Sequence, residues 1–341
     1  MGYLGAVMML TMTTLIAGNE EAPMLKRMWQ TSPELIATAA LMLVVLAGAI
    51  VGLLVDPTII TGMPAWLKPA KFAVSITIYT VTLAWMFTLL PEWPRTRKVI
   101  GWITAIVMVV EMAIIGSQAW RGTTSHFNRA TTYDAVLFSI MGGAIVFQTF
   151  STVAVAVALW RNRFADKSLG WALRFGMIIT IFGAMTGGLM ARPTAAQIEA
   201  KRAGVHLTVS GSHTVGGVDG GPGLPGTGWS TQHGDLRIPH FFGLHAQQAL
   251  PLFALFLARR RVSQRLSESV RVRLVLIAAA SYAALYVILL IQALRGVPLF
   301  TTDATTMTQL GMWAVATATA AALAWVGDGQ AAARQTAAIR G

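Results

Sequence analysis

All six histidines of the chain, His126, His206, His213, His233, His240 and His245, fall within one stretch of 120 residues. Neutral imidazole ligates metals and haem iron and moves protons near neutral pH, so this clustering marks where chemistry could be done. The densest polar segment runs from Trp229 to Gln248 and holds Asp235, Arg237, His240 and His245. Read as a helix starting near Pro239, it places His240 near a membrane surface and His245 about 7.5 Å deeper on a different face. The two are therefore a poor chelating pair by themselves. His245 is a candidate axial haem ligand or metal ligand, against the plainer role of hydrogen bonding to a neighbouring helix. His240 is a second candidate cofactor ligand, although helix packing is the simpler reading for it. Asp235 and Arg237, at the surface end, are candidate catalytic groups.

A second polar group lies earlier in the chain. Arg121, His126 and Asn128 share a short loop, and His126 is a candidate acid–base group or metal ligand, with a solvent-facing loop histidine as the alternative. Glu111 stands among Val109, Val110, Met112 and Ile114, about two turns from the same end of its helix. An ionised carboxylate in such surroundings costs several kcal/mol, on the order of 3 or more, unless it is paired or neutralised. Glu111 is thus expected to carry a proton, help hold a metal with His126 and His245, or balance a charge. Arg121 is about 15 Å further along by helical rise, too far to be its partner. Cysteine is absent, which excludes disulfides, thiolate metal sites and cysteine nucleophiles.

The elements that must position these residues are membrane helices. The chain of 341 residues is 55% hydrophobic and 12% charged, with a mean hydropathy of +0.61; a soluble protein carries about 25% charged residues. Apolar runs near the length needed to cross about 30 Å of hydrocarbon recur at 33–55, 70–90, 99–118, 134–159, 169–191, 239–258, 272–293 and 305–326. The fold expected is an all-α polytopic protein with eight transmembrane helices. Loops 91–98, 160–168 and 259–273 hold 12 Lys and Arg in 32 residues, whereas the alternate loops hold 9 in 89. The positive-inside rule puts the first set in the cytoplasm, both termini with it, and the histidine-bearing loops on the extracytoplasmic face of the cell membrane. The net charge of +12 is then mostly topology. Nucleic acid is not an expected partner, because the basic residues form no single face; the lipid bilayer and an unidentified small molecule are.

The two halves resemble each other. Gln118-Ala119-Trp120-Arg121-Gly122 closes the third span and Gln292-Ala293-Leu294-Arg295-Gly296 the seventh. Gly52 to Thr58 resembles Gly188 to Thr194, and Trp66 to Phe72 more weakly matches Asp235 to Phe242. An even number of spans per unit makes the copies parallel. The expected organisation is an N-terminal segment 1–32, a four-helix repeat 33–159, a second repeat 160–326 with an outer loop 192–238, and a tail 327–341. Residues 3–18 are apolar but fit a signal peptide poorly, and an upstream start codon is the simpler explanation. Between matching prolines the second copy carries about 34 more residues than the first, holding His206, His213, His233 and a segment 210–228 with eight glycines. Without a Gly-Lys-Ser/Thr ending this is no phosphate-binding loop, and a lid over an outer cavity is the expectation. Asp56 and Arg192, at corresponding helix ends, could pair.

This architecture resembles that of the haem A synthase family, which also has two parallel four-helix halves and cytoplasmic termini. The resemblance implies a haem- or metal-dependent membrane oxidoreductase with His126, His240, His245 and Glu111 as candidate ligands. The family places haem-ligating histidines in both halves and typically has cysteines in an outer loop. Here the second and eighth spans lack histidine and cysteine is absent. A proton-coupled transporter using Glu111, or a non-catalytic assembly or sensing protein, are the alternatives.

Overall fold

The computed structural model describes residues 23–264, 266–301 and 303–340; the apolar segment 3–18 lies outside them. The chain is mostly helical, at 72%. Helix α1 (Met24–Thr31) meets α2 (Pro33–Val55) at Ser32, with Pro33 in the first turn, where a missing N–H costs nothing. Then follow α3 (Leu67–Thr88), α4 (Pro94–Trp120), α5 (Thr132–Arg161) and α6 (Lys167–Met190). The starts are written in the sequence. Thr131 accepts from the Asp134 N–H and donates its hydroxyl to the Asp134 carboxylate, while Asp166 accepts from the Ser168 and Leu169 N–H groups.

Among the described residues six helices are long and apolar enough to cross a membrane, and a seventh if one bent pair counts as a span. That pair is α8 (Arg237–Leu244) and α9 (Ala246–Ala258), which meet at 42°. A continuous helix over 239–258 was the expectation, and the break at His245 corrects it. Its cause is tertiary. Gly183 of α6 and Gly243 of α8 touch backbone to backbone, so closely that a Cβ on Gly183 would lie 2.5 Å from the Gly243 carbonyl carbon. The interrupted ladder is mended by Thr180, whose hydroxyl accepts from the Gln247 N–H at 3.2 Å and donates to the Leu244 carbonyl at 3.3 Å. Pro251 inside α9 removes a further N–H, so the segment was locally weak already.

After α9 come a short turn α10 (Arg260–Ser263), α11 (Glu268–Leu294) and α12 (Ala304–Arg340). Helix α2 packs on α3 and α4, α3 on α4, and α4 on α5; α6 packs on the α8–α9 pair and α11, that pair on α11, and α11 on α12. At the end of the bundle away from the histidines, Leu35, Leu83, Met86, Phe87, Leu90, Val155, Leu159, Leu173 and Met177 form a sealed apolar core. Large apolar side chains such as Leu54, Val55, Phe150 and Val315 are exposed around the outside of the bundle, as a lipid-facing surface requires.

The segment 192–238 is more ordered than a plain loop. It contains α7 (Ala195–Arg202), closed by a Thr194–Gln197 capping box, and ends in a two-stranded ribbon of β3 (Thr214–Val215) and β4 (Gly234–Asp235) just before α8. The corresponding short connection before α3 is also a ribbon, β1 (Ile59–Ile60) with β2 (Met63–Pro64). Asp56 does not pair with Arg192, which is exposed; its carboxylate accepts from Trp66 Nε1 at 2.7 Å and from the Thr58 N–H at 2.9 Å.

Candidate functional site

Lys68, in the first turn of α3, donates to Nδ1 of His126 at 3.1 Å, and Ser125 Oγ lies 3.0 Å from the same nitrogen. The ring sits among Phe72, Phe127 and Phe138, with centroids 5.7 to 6.5 Å away. Burial, then the charges on Lys68, His213 and His240, hold His126 well below the usual imidazole value, so it is neutral. Three histidines from three separate segments therefore act on one another, and Lys68 acts on two of them, His126 and His213. Lys68 in turn interacts electrostatically with Lys71, Arg237, Glu111 and Asp219.

The backbone at His126 is strained. Phe127 has φ of +62°, a conformation rare for a bulky side chain and worth about 1–3 kcal/mol. It is held by neighbours: the Phe127 carbonyl accepts from the Ser210 N–H, and Arg129 N–H donates to Thr208. Asn128 donates to Thr123 Oγ1 and to the Thr124 carbonyl, both at 3.0 Å. The segment 192–238 thus clamps the loop between α4 and α5.

His213 lies against the other side of Phe127, at a centroid distance of 4.8 Å. Its Nδ1 is 2.7 Å from Asp219 Oδ2, and this carboxylate also accepts from Ser212 Oγ, the His213 and Thr214 N–H groups and Thr214 Oγ1. Burial alone would raise the Asp219 carboxyl, but the hydrogen bonds from His213 and Thr214 outweigh it and hold the group well below the usual carboxylate value. Burial lowers His213 by more than Asp219 raises it. The resting pair is thus a neutral imidazole donating Nδ1–H to an ionised carboxylate. His240 is fixed in the same tautomer, since its Nδ1 lies 2.7 Å from a pure acceptor, the Gly183 carbonyl. With Lys68 and Ser125 donating to Nδ1, His126 has the opposite one. One ring carries its hydrogen on Nε2, and two carry a lone pair there.

Glu111 is buried, 2% exposed, and its Oε1 has no hydrogen-bond partner. The charge acting on it is Lys68. Arg121, a candidate catalytic group, has its contacts at a helix corner. It binds Asp134 at 2.6 Å and Gln118, and lies 4.9 Å over the Tyr133 ring, tying the end of α4 to the start of α5. Buried Asp235 and half-buried Arg237 form an ion pair, with Nη2 to Oδ2 at 2.6 Å and Nε to Oδ1 at 3.0 Å. Arg237 also holds the Gly228 carbonyl and Lys71 the Thr227 carbonyl. These two cations latch the glycine-rich segment down over the rim. Beneath it is a cavity of about 100 Å3 lined by Thr214, Ser230, His233 and Arg237 among others.

The metal set expected from sequence, Glu111, His126 and His245, is not assembled: among the described residues no three His, Cys, Asp or Glu side chains could hold a metal ion together. His245 occupies the α8–α9 break and packs on Phe241 at 4.2 Å. The Nδ1 of His240 is bound to the Gly183 carbonyl, and the rim cavity, which neither His240 nor His245 lines, is smaller than the roughly 300–1,000 Å3 of a site for a drug-sized ligand. That cavity does not fit a haem. Sequence reasoning passed over Lys68, Phe127 and the His213–Asp219 pair as site residues. Only the last had a local signal, a histidine and an aspartate six residues apart in a loop rich enough in glycine to fold back on itself. No family model, curated protein or solved structure matches the chain.

Proposed function

We propose that the chain is an enzyme of the cell membrane that uses imidazoles at its extracytoplasmic rim as acid and bases on an amphipathic substrate with a polar or anionic head. The observation that carries this reading is the complementary tautomers. Nε2 of His126 can give a proton, and Nε2 of His213, backed by Asp219, can take one. Lys68 supplies a charge to hold a head group or a developing oxyanion, and Phe72, Phe127 and Phe138 supply an apolar wall.

In this reading the chain has eight spans in two parallel units of four, with both termini cytoplasmic. The recurrence of one helix-pairing pattern in each half supports it. So do two like corners: Gln118 donates to the Thr124 carbonyl and Arg121 binds Asp134, while Gln292 donates to the Pro298 carbonyl and Arg295 binds Asp303. Gly122 and Gly296 take positive φ at both corners. The charge asymmetry of the loops supports the orientation.

A second reading, a metal-assisted form of the same site, is favoured by one feature. His213 and His240 both have Nδ1 tied to an acceptor, as ligand histidines usually do. The experiment that decides uses p-nitrophenyl acetate as an activated model ester, with the protein in liposomes, and parallel metal analysis. Hydrolysis is expected to fall about a hundredfold in His213→Ala, with no stoichiometric metal. Equal rates in the variant and the native protein contradict acid–base work by His213. A stoichiometric divalent ion lost in His213→Ala selects the metal-assisted form.

A further inference from the structure

The centre of the bundle below the rim holds four buried oxygens with no hydrogen-bond partner: Glu111 Oε1, Gln148 Oε1, Gln247 Oε1 and Gln248 Oε1. The residues are 2 to 5% exposed. An unmet buried acceptor costs about 1–3 kcal/mol, and more at membrane depth. All four are acceptors, so what completes them must donate hydrogens.

Three of them stand beside other polar side chains, and apolar Val107 and Met108 lie between Glu111 and the next polar residue of α4. Thr104 lies two turns, about 10.5 Å, beyond Glu111 on the same face of α4. Gln148 of α5 donates to Thr104 Oγ1 at 2.8 Å and to the Tyr79 hydroxyl at 3.0 Å. Gln248 of α9 donates to Thr82 Oγ1 of α3 at 3.3 Å, one turn from Tyr79. Gln148 is about 24 Å along α5 from its rim end, more than half of the ~30 Å hydrocarbon thickness. One turn further, Thr152 donates to the Gln148 carbonyl at 2.9 Å, and past it the packing is apolar. Val155 and Leu159 on α5, Leu83, Met86 and Phe87 on α3, and Leu173 and Met177 on α6 close the far end.

We infer that the rim site continues inward as a blind, water-filled half-channel that carries protons past Glu111 as far as Gln148 and Gln248. Water is the donor that completes the four oxygens. Each hop passes on one hydrogen as another arrives, so nothing is oxidised or reduced. The apolar seal keeps the path from crossing the membrane, so it serves the rim as a proton reservoir and does not transport. The inference rests on the proposed reading that the rim is extracytoplasmic.

The chain contains no cysteine, so single cysteines report without background. Gln148→Cys, Thr104→Cys, Leu83→Cys and Val218→Cys are each exposed, in sealed vesicles of known orientation, to a small membrane-impermeant methanethiosulfonate from one side at a time. Val218 is 84% exposed on the rim loop, so its cysteine reports which side the rim faces, independently of any channel. Gln148→Cys and Thr104→Cys are expected to react from the rim side alone, on the order of a hundredfold faster than Leu83→Cys. If both are as inert as Leu83→Cys while Val218→Cys reacts, the core is dry and the inference fails. Reaction of Gln148→Cys from the side opposite Val218→Cys overturns the blind end. Reaction of Val218→Cys from the cytoplasmic side overturns the proposed orientation instead.

Discussion

Gly183→Ala lowers the stability of the folded bundle by about 3 kcal/mol, whereas Gly188→Ala, on the same helix, leaves it unchanged or slightly raised. The contrast follows from what each new methyl would meet. At Gly183 it would lie 2.5 to 2.6 Å from the backbone of Gly243 and Leu244, which cannot rotate aside as a side chain could. Helices α6 and α8 must separate, and overpacking of this kind costs about 1–3 kcal/mol. Separation also lengthens the His240–Gly183 hydrogen bond, adding about 1 kcal/mol. At Gly188 nothing lies within 4 Å of the methyl position, so only helix propensity changes, in alanine's favour. Thermal unfolding of the two variants in detergent, followed by tryptophan fluorescence, checks this. Equal midpoints would mean that the two helices are not in backbone contact.

The second large effect is local. Asp219→Ala removes the acceptor for the Ser212 and Thr214 hydroxyls, the His213 and Thr214 N–H groups and the His213 ring. Losing these raises the opening equilibrium of the 210–228 segment about a hundredfold, near 3 kcal/mol, without unfolding the helices. Hydrogen exchange of that segment should quicken while α3 and α6 stay protected. The native protein should show the same opening with acid. His213 and Asp219 both have lowered values when the segment is closed, so the open form binds protons more readily. Order is complete above about pH 6.5, declines as His213 protonates in the open form, and falls further below about pH 4 as Asp219 does. Exchange rates that do not change between pH 7 and pH 4, after correction for intrinsic chemistry, would contradict the hydrogen-bonded hub at Asp219.

The helices were legible because membrane helices are set by local composition: runs such as 33–55 and 99–118 carry their own signal over some twenty residues. Thr131 and Asp134 likewise announce the start of α5 through a cap that spans three residues. The break at His245 was not legible. Its cause is the hydroxyl of Thr180 and the close approach of Gly183, both far away in sequence. The site was partly legible for the same reason. Histidines announced themselves by type, but the lysine that acts on His126 and His213 stands 58 residues before His126 and looked like part of a weak repeat. The Arg121–Asp134 pair was not legible because the two become adjacent only when the corner between α4 and α5 closes.

His126 and His213 share one site with Lys68, and His240 borders both imidazoles. The most direct test is to label the six histidine rings with nitrogen-15 and titrate the protein in detergent micelles, native and Lys68→Met. The charge on Lys68 lowers both His126 and His213, so removing it should move both titrations upward in pH, with His126 starting well below the usual imidazole value. Titrations of His126 and His213 that stay where they were in the native protein would show that the lysine and the imidazoles do not share a site.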